Sequence, residues 1–166
     1  MIHASRLRWL SLTFIVVFLD RVSKAAIEAK TIEGWRHELV HNFIYLVHSK
    51  NTGIAFSMFA DGAAWTRYVL IAGSLIVIGI LAWYLVAGSA VSTRAAAGLA
   101  LLLGGATGNI TDRILHGGVT DFFEVWFGSY RYPAFNVGDS AITIGAVLIL
   151  LDVLFARGTV TKAPAK

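Results

Sequence analysis

The sequence predicts a mainly α-helical membrane protein: four transmembrane helices, both termini cytoplasmic, with a small β-rich segment and a short loop helix at the outer face. Three observations carry this. Of 166 residues, 57% are hydrophobic and 14% charged, with a mean hydropathy of +0.69, far from the balance of a soluble domain. The charges are clustered, leaving long uncharged stretches between them. The Lys and Arg residues favour one set of connections over the other. The chain is long enough for one domain, and 1–166 is read as one.

A span needs about 20 mostly apolar residues. The first, about 7–27, contains "WLSLTFIVVFL" and then meets Asp20, Arg21 and Lys24. Its apolar part runs straight into charges with no small-x-small cleavage site, so it reads as retained. The second, 68–87, carries no charge at all. The third, 95–113, is apolar until Asn109, and the fourth, 137–156, is apolar apart from Asp139 and Asp152.

Four spans put both termini on one side. Residues 1–8, 88–94 and 157–166 hold Arg6, Arg8, Arg94, Arg157, Lys162 and Lys166, six basic residues in 25 without an acid. The segments 28–67 and 114–136 hold five in 63. The positive-inside rule therefore places the termini in the cytoplasm and those two segments outside. In this topology Asp20, Lys24, Asn109, Asp112, Arg113 and Asp139 all fall at the outer ends of their spans. Ionisable residues inside a membrane are costly and usually face a site or cavity. Asp152 lies near the other end and reads as interfacial.

The outer segments have strand character. "HELVHNFIYLVH", 37–48, is rich in β-branched and aromatic residues and is closed by Asn-Thr-Gly. "FFEVWFGSYRYPAF", 122–135, is similar. "FADGAAWTR", 59–67, is the short amphipathic turn or helix before the second span.

Composition excludes several chemistries. With no cysteine there is no thiol nucleophile, disulfide or cysteine-bound metal. A net charge of +4 without a basic run gives no nucleic-acid surface, and the charges serve as topology signals. His37 to His41 fits H-E-x-x-H, a zinc-protease motif that needs a helix so that both histidines share a face. In a strand they stand about 13 Å apart at about 3.3 Å per residue, too far for one metal. Ser23–Lys24 and Ser49–Lys50 are adjacent pairs, which do not face each other on a helix, and Ser140 has no evident base. A pair of carboxylates remains. Asp121 and Asp139 flank 17 residues at the same interface and can meet. Two close carboxylates share one proton, so one can activate water while the other donates to a carbonyl. Spacing alone also allows two separate interfacial acids. A four-span transporter would spread its charges through the bilayer depth and show an internal repeat.

From about residue 15 to 156 the chain resembles the bacterial lipoprotein signal peptidases (signal peptidase II), aspartic proteases of the cytoplasmic (inner) membrane. The resemblance rests on "DRVSK" at 20–24, "NTGIAFS" at 51–57, "GGATGNITDR" at 104–113, "VTDFF" at 119–123 and "PAFNVGDS" at 133–140. It implies that Asp121 and Asp139 are the catalytic pair. It also implies a surrounding set for substrate binding and support: Asp20, Lys24, Asn51, Gly53, Gly105, Asn109, Asp112, Arg113 and Asn136. Asp20–Lys24 and Asn109–Arg113 are i,i+4 pairs, the first in the favourable acid-first order, and Arg113 has either a carboxylate or a backbone carbonyl to hold. The implied substrate is a prolipoprotein carrying diacylglyceryl on its cysteine, cut just before that residue at the outer face. Segments 28–57 and 58–66 would cradle it. No metal or organic cofactor is implied, the partners are substrate and membrane lipid, and the enzyme is expected to be a monomer. Arg21, Gly138 and Glu124 depart from the family's usual residues.

Overall fold

The structure, a computed structural model, describes residues 4–53, 64–87 and 92–156. Four long helices carry a four-stranded antiparallel sheet: α1 (Ala4–Lys30), β1 (Arg36–Val40), β2 (Ile44–Asn51), α2 (Ala64–Ala87), α3 (Thr93–His116), β3 (Val119–Phe127), β4 (Tyr130–Phe135) and α4 (Val137–Ala156). Both strand-like segments of the sequence are strands. The expected loop helix fares differently: residues 59–63 lie outside the described residues, and 64–67 form the first turn of α2. The first three helices run several residues beyond the apolar stretches that predict them, because a helix continues past its apolar part wherever its backbone stays paired.

Helix α3 is the centre of the bundle, packing on α4, on α1 and on α2. Its composition explains this, since small residues let helix backbones approach closely. One stripe faces α4. A Cβ on Gly98 would lie 2.7 Å from the Gly145 carbonyl oxygen, and one on Gly105 would collide with that of Gly138. A second stripe faces α1. A Cβ on Gly104 would lie 2.7 Å from Val16, and one on Gly108 would collide with the Asp20 carboxylate. Ser92 caps the N-terminus of α3 by accepting from the Ala95 N–H, and donates its own hydroxyl to Asp152 at 2.5 Å. Asp152 thus ties the end of α4 to the start of α3. At the other end, Gly117 takes the left-handed conformation (φ 78°) that closes α3.

The bundle is apolar outside. Phe14, Phe18, Tyr68, Ile76, Ile80, Trp83, Leu150 and Phe155 are all exposed, while the buried polar groups are clustered inside the bundle and the sheet. Trp65–Ala87 and Val137–Phe155 are long and apolar enough to cross a membrane. Helices α1 and α3 are of 27 and 24 residues and carry the internal charges.

The sheet order is β1-β2-β3-β4, with α2 and α3 inserted between its two hairpins. Asp121 is therefore a strand residue, in register with Ser49 of β2. Pro133 sits in β4, an edge strand, where a missing N–H is tolerated.

The glycine stripes yield a paired prediction. Gly108→Ala should lower the thermal unfolding midpoint in detergent, overpacking of this kind costing about 1–3 kcal/mol. Gly79→Ala, on α2 with nothing within 4 Å of its Cβ position, should leave it unchanged or raise it.

Candidate active site

The start of α4 is built by one residue. Asn136 precedes the helix, and its side-chain oxygen accepts the Asp139 N–H at 2.9 Å. The Asp139 carboxylate in turn accepts the Asn136 N–H at 3.2 Å. This is a reciprocal capping box in its Asn/Asp form. The remaining side-chain N–H of Asn136 donates to Asp121 at 2.7 Å. A single buried asparagine therefore holds both carboxylates, Asp121 through its side-chain N–H and Asp139 through its backbone N–H.

Each carboxylate has a second amide. Asn51 donates to Asp121 at 3.2 Å. The two share a sheet face, because Asn51 pairs with Val119 and Asp121 lies two residues further on. Asn109 donates to Asp139 at 2.8 Å. The side-chain oxygen of Asn51 accepts the Gly53 N–H at 3.1 Å, and Arg113 donates to the Gly53 carbonyl at 2.8 Å. Arg113 thus holds a backbone carbonyl rather than a carboxylate.

Behind Asp139 lies a buried ionic cluster. Lys24, Asp20 and Asp112 are each 0% exposed. The Lys24 ammonium stands 2.6 Å from Asp20, 2.8 Å from Asp112 and 2.9 Å from the side-chain oxygen of Asn109. Asp20 also accepts the Gly138 N–H at 2.8 Å, so α1 reaches the first turn of α4. Arg21 pairs with Asp112 from the other side. Burying charges is tolerable only when they are paired this closely.

The two carboxylates open into a cavity of about 830 Å³. Leu70 and Ser74 of α2 form one wall and Ile142 and Thr143 of α4 the other, with Asn109 and Arg113 of α3 behind. Burial and the neighbouring Asp139 charge push the Asp121 carboxyl up to about 7.

The structure brings every sequence-predicted site residue to this end of the bundle, with one difference in kind. Gly105 is not one of the residues lining the cavity, and its place is against the Gly138 carbonyl, where it lets α4 approach α3. Gly138 fits the same contact. Several supports escaped the sequence. Thr120 donates to Glu28 at 2.5 Å on the face of β3 opposite Asp121. Arg67 donates to the carbonyls of Arg113 and Ile114, both at 2.9 Å, closing the end of α3. Glu124 binds Arg36 at 3.2 Å, Arg131 at 2.7 Å and the Trp126 N–H at 2.7 Å. The side chains that make these contacts lie in the outer segments, where no span or motif of the sequence signalled them. In the His37–His41 motif, His37 lies in β1 and stacks on Trp35, while His41 lies in the following turn. Glu38 accepts from the Asn42 N–H at 2.5 Å and faces His41 at 3.2 Å. The helix that a zinc motif requires is absent from this segment.

Removing the cation of the cluster should be severe. Lys24→Met leaves two buried carboxylates with one fewer cation and is expected to cost about 3–5 kcal/mol, read as a large drop in the unfolding midpoint in detergent. Glu38→Gln, at an exposed pair, should leave that midpoint in place.

Comparison with known proteins places the chain in a family. The family profile of Signal peptidase (SPase) II matches residues 12–155. A lipoprotein signal peptidase of Xylella fastidiosa (strain M12) is 38% identical over 162 residues, covering 98% of this chain and 97% of its own. One from Pseudomonas syringae pv. tomato is 39% identical over 155 residues, covering 93% and 90%. A solved bacterial membrane enzyme, obtained by the in meso method at 2.3 Å, superposes with a TM-score of 0.83 at 25% identity, covering 96% of this chain and 94% of that one. A second, at 1.9 Å, gives 0.76 at 27% identity, covering 89% and 92%. With a profile match over most of its length and relatives that span it almost completely, the chain belongs to the signal peptidase II family and is a peptidase.

Proposed function

We propose that the protein is an aspartic endopeptidase that removes the signal peptide from diacylglyceryl-modified prolipoproteins, cutting just before the lipidated cysteine. The observation that carries this reading is Asn136 at the edge of the cavity, whose side-chain N–H donates to the Asp121 carboxylate and whose backbone N–H donates to the Asp139 carboxylate. Two carboxylates held together in this way share a proton. Asp121, raised to about 7, carries it. Asp139, in the first turn of α4 where helix N–H groups meet an anion, is the general base.

In the reaction Asp139 takes a proton from water, and the water oxygen attacks the scissile carbonyl carbon. Asp121 donates its proton to the carbonyl oxygen, giving a neutral tetrahedral diol. Collapse returns a proton from the diol to Asp121 and passes the one on Asp139 to the leaving amine. The substrate's helix must be unwound at the scissile bond, since a helical backbone hides its carbonyls in hydrogen bonds. Strand β2, whose Ser49 to Asn51 line the cavity, offers an extended peptide a surface beside the dyad.

The reading extends to topology. All four helices cross the cytoplasmic membrane, both termini face the cytoplasm, and the sheet lies on the outer face. The six basic residues of 1–8, 88–94 and 157–166 support it. The enzyme acts as a monomer. No metal takes part in this mechanism.

Cleavage of a diacylglyceryl-modified prolipoprotein in detergent tests the mechanism. Asp121→Asn and Asp139→Asn should each lose at least about 100-fold in rate, and a zinc chelator should change nothing; full activity in either variant would refute the dyad. The pH profile follows from the raised carboxyl. The working form needs the shared proton, which is present below about 7 and lost above it. The kcat/KM should therefore fall tenfold per pH unit on the alkaline side. Topology is testable because the chain has no cysteine. In intact cells stripped of any outer barrier, Tyr130→Cys should react with an impermeant maleimide and Thr93→Cys should not.

A further inference from the structure

The ionic cluster contains a cation that the proposed chemistry does not use. Arg21 lies outside the cavity lining, and its side chain is 25% exposed, yet it pairs with the wholly buried Asp112. We propose that Arg21 is a positioning residue for the dyad: by holding Asp112 it keeps Lys24 on Asn109, and Asn109 on Asp139. This rests on the dyad reading and goes beyond it by assigning a role to a residue remote from the cavity.

The charges make the case. Asp20 and Asp112 both lie against the single ammonium of Lys24, at 2.6 and 2.8 Å. Two carboxylates around one ammonium leave a buried net charge of minus one, and Arg21 brings the group to neutrality. Among the described residues neither Asp112 oxygen receives a well-aligned hydrogen bond. Asp112 is therefore held by the proximity of cations. Asp20 differs, since it has the Gly138 N–H as well as Lys24. A third group, His116, stands 3.8 Å from the same Asp112 oxygen that faces Arg21.

Without Arg21, Asp112 draws harder on Lys24. The weakest of the three acceptors around the ammonium is the neutral amide oxygen of Asn109, at 2.9 Å, and it is the one to be released. That contact decides which end of the Asn109 amide points where. With its oxygen on Lys24, its nitrogen faces Asp139 at 2.8 Å. Released, the amide can turn and present oxygen to the carboxylate, replacing a bond by a repulsion. The effect falls on the hydrogen bond to the reacting group, so kcat should change more than KM.

The test is steady-state cleavage of a diacylglyceryl-modified prolipoprotein in detergent, below the unfolding midpoint of every variant and normalised to folded enzyme. Arg21→Met should lower kcat about tenfold, the size expected of residues coupled in one network, with KM within twofold of wild type. Arg21→Lys should recover most of the loss. His116→Arg in the Arg21→Met background should also recover it, because it returns a cation to the same Asp112 oxygen from α3. Asp139→Asn is run alongside. If it is inactive while Arg21→Met keeps wild-type kcat, the role of Arg21 is refuted and the dyad stands. Recovery by Arg21→Lys but not by His116→Arg would also refute it, since the charge on Asp112 would then not be what matters. Full activity in Asp139→Asn would instead overturn the dyad reading itself.

Discussion

The buried ammonium of Lys24 is the constraint on which the rest of the site depends. A lysine with no exposed surface is tolerable only if its charge is matched at bonding distance, and the match comes from three places. Asp20 lies one turn away on α1, Asp112 and Asn109 lie on α3, and Asp20 reaches on to the backbone of α4. Satisfying one cation therefore joins three helices at one level. The glycines at 104 and 108 let α1 come close enough for this, and those at 98, 105, 138 and 145 do the same for α4. Packing and electrostatics meet at Gly108, whose missing side chain leaves the room that the Asp20 carboxylate occupies.

Stability and chemistry also share bonds at the head of α4. Asn136 caps that helix as asparagine does in many proteins, satisfying a backbone N–H that no helical carbonyl can reach. Here its partner in the capping box is a carboxylate facing the cavity, and its spare N–H is spent on the other carboxylate. The helix cannot be well capped without the two acids being drawn together. Such a coupling holds a like-charged pair that would otherwise separate, and it does so with neutral amides, which leave the pair free to keep its proton.

The cavity has walls of unlike character. Leu70 of α2 and Ile142 of α4 give the part within the bundle an apolar surface, and β2 with its polar backbone lines the part beside the sheet. A substrate with a lipid-embedded helix and an extended segment beyond it has a use for both. Arg113 and Arg67 brace the junction between the two parts. Each is bonded to backbone carbonyls, Arg113 at Gly53 and Arg67 at the end of α3. Arginine suits this because its planar fork can serve two carbonyls at once.

Much of this protein was determined by local order in the sequence. Apolar length set the helices, and β-branched and aromatic content set the strands. That content also disposed of the His37–His41 motif, which needs a helix that its own residues do not form. The Asp20–Lys24 pair was legible too, because a helix puts residues four apart on one face whatever surrounds it. The two aspartates could be recognised as able to meet, but whether they did was not readable from spacing. Tertiary structure decided the rest, since it alone selects which helix faces touch. Lys24 meets Asn109 across 85 positions and Asn109 meets Asp139 across 30. Arg113 finds the Gly53 carbonyl across 60, and Arg21, a mere departure in the sequence, finds Asp112. The helical period fixes the direction of each of these side chains along its own helix, but the partner it meets depends on how closely α1 and α4 pack against the glycine faces of α3.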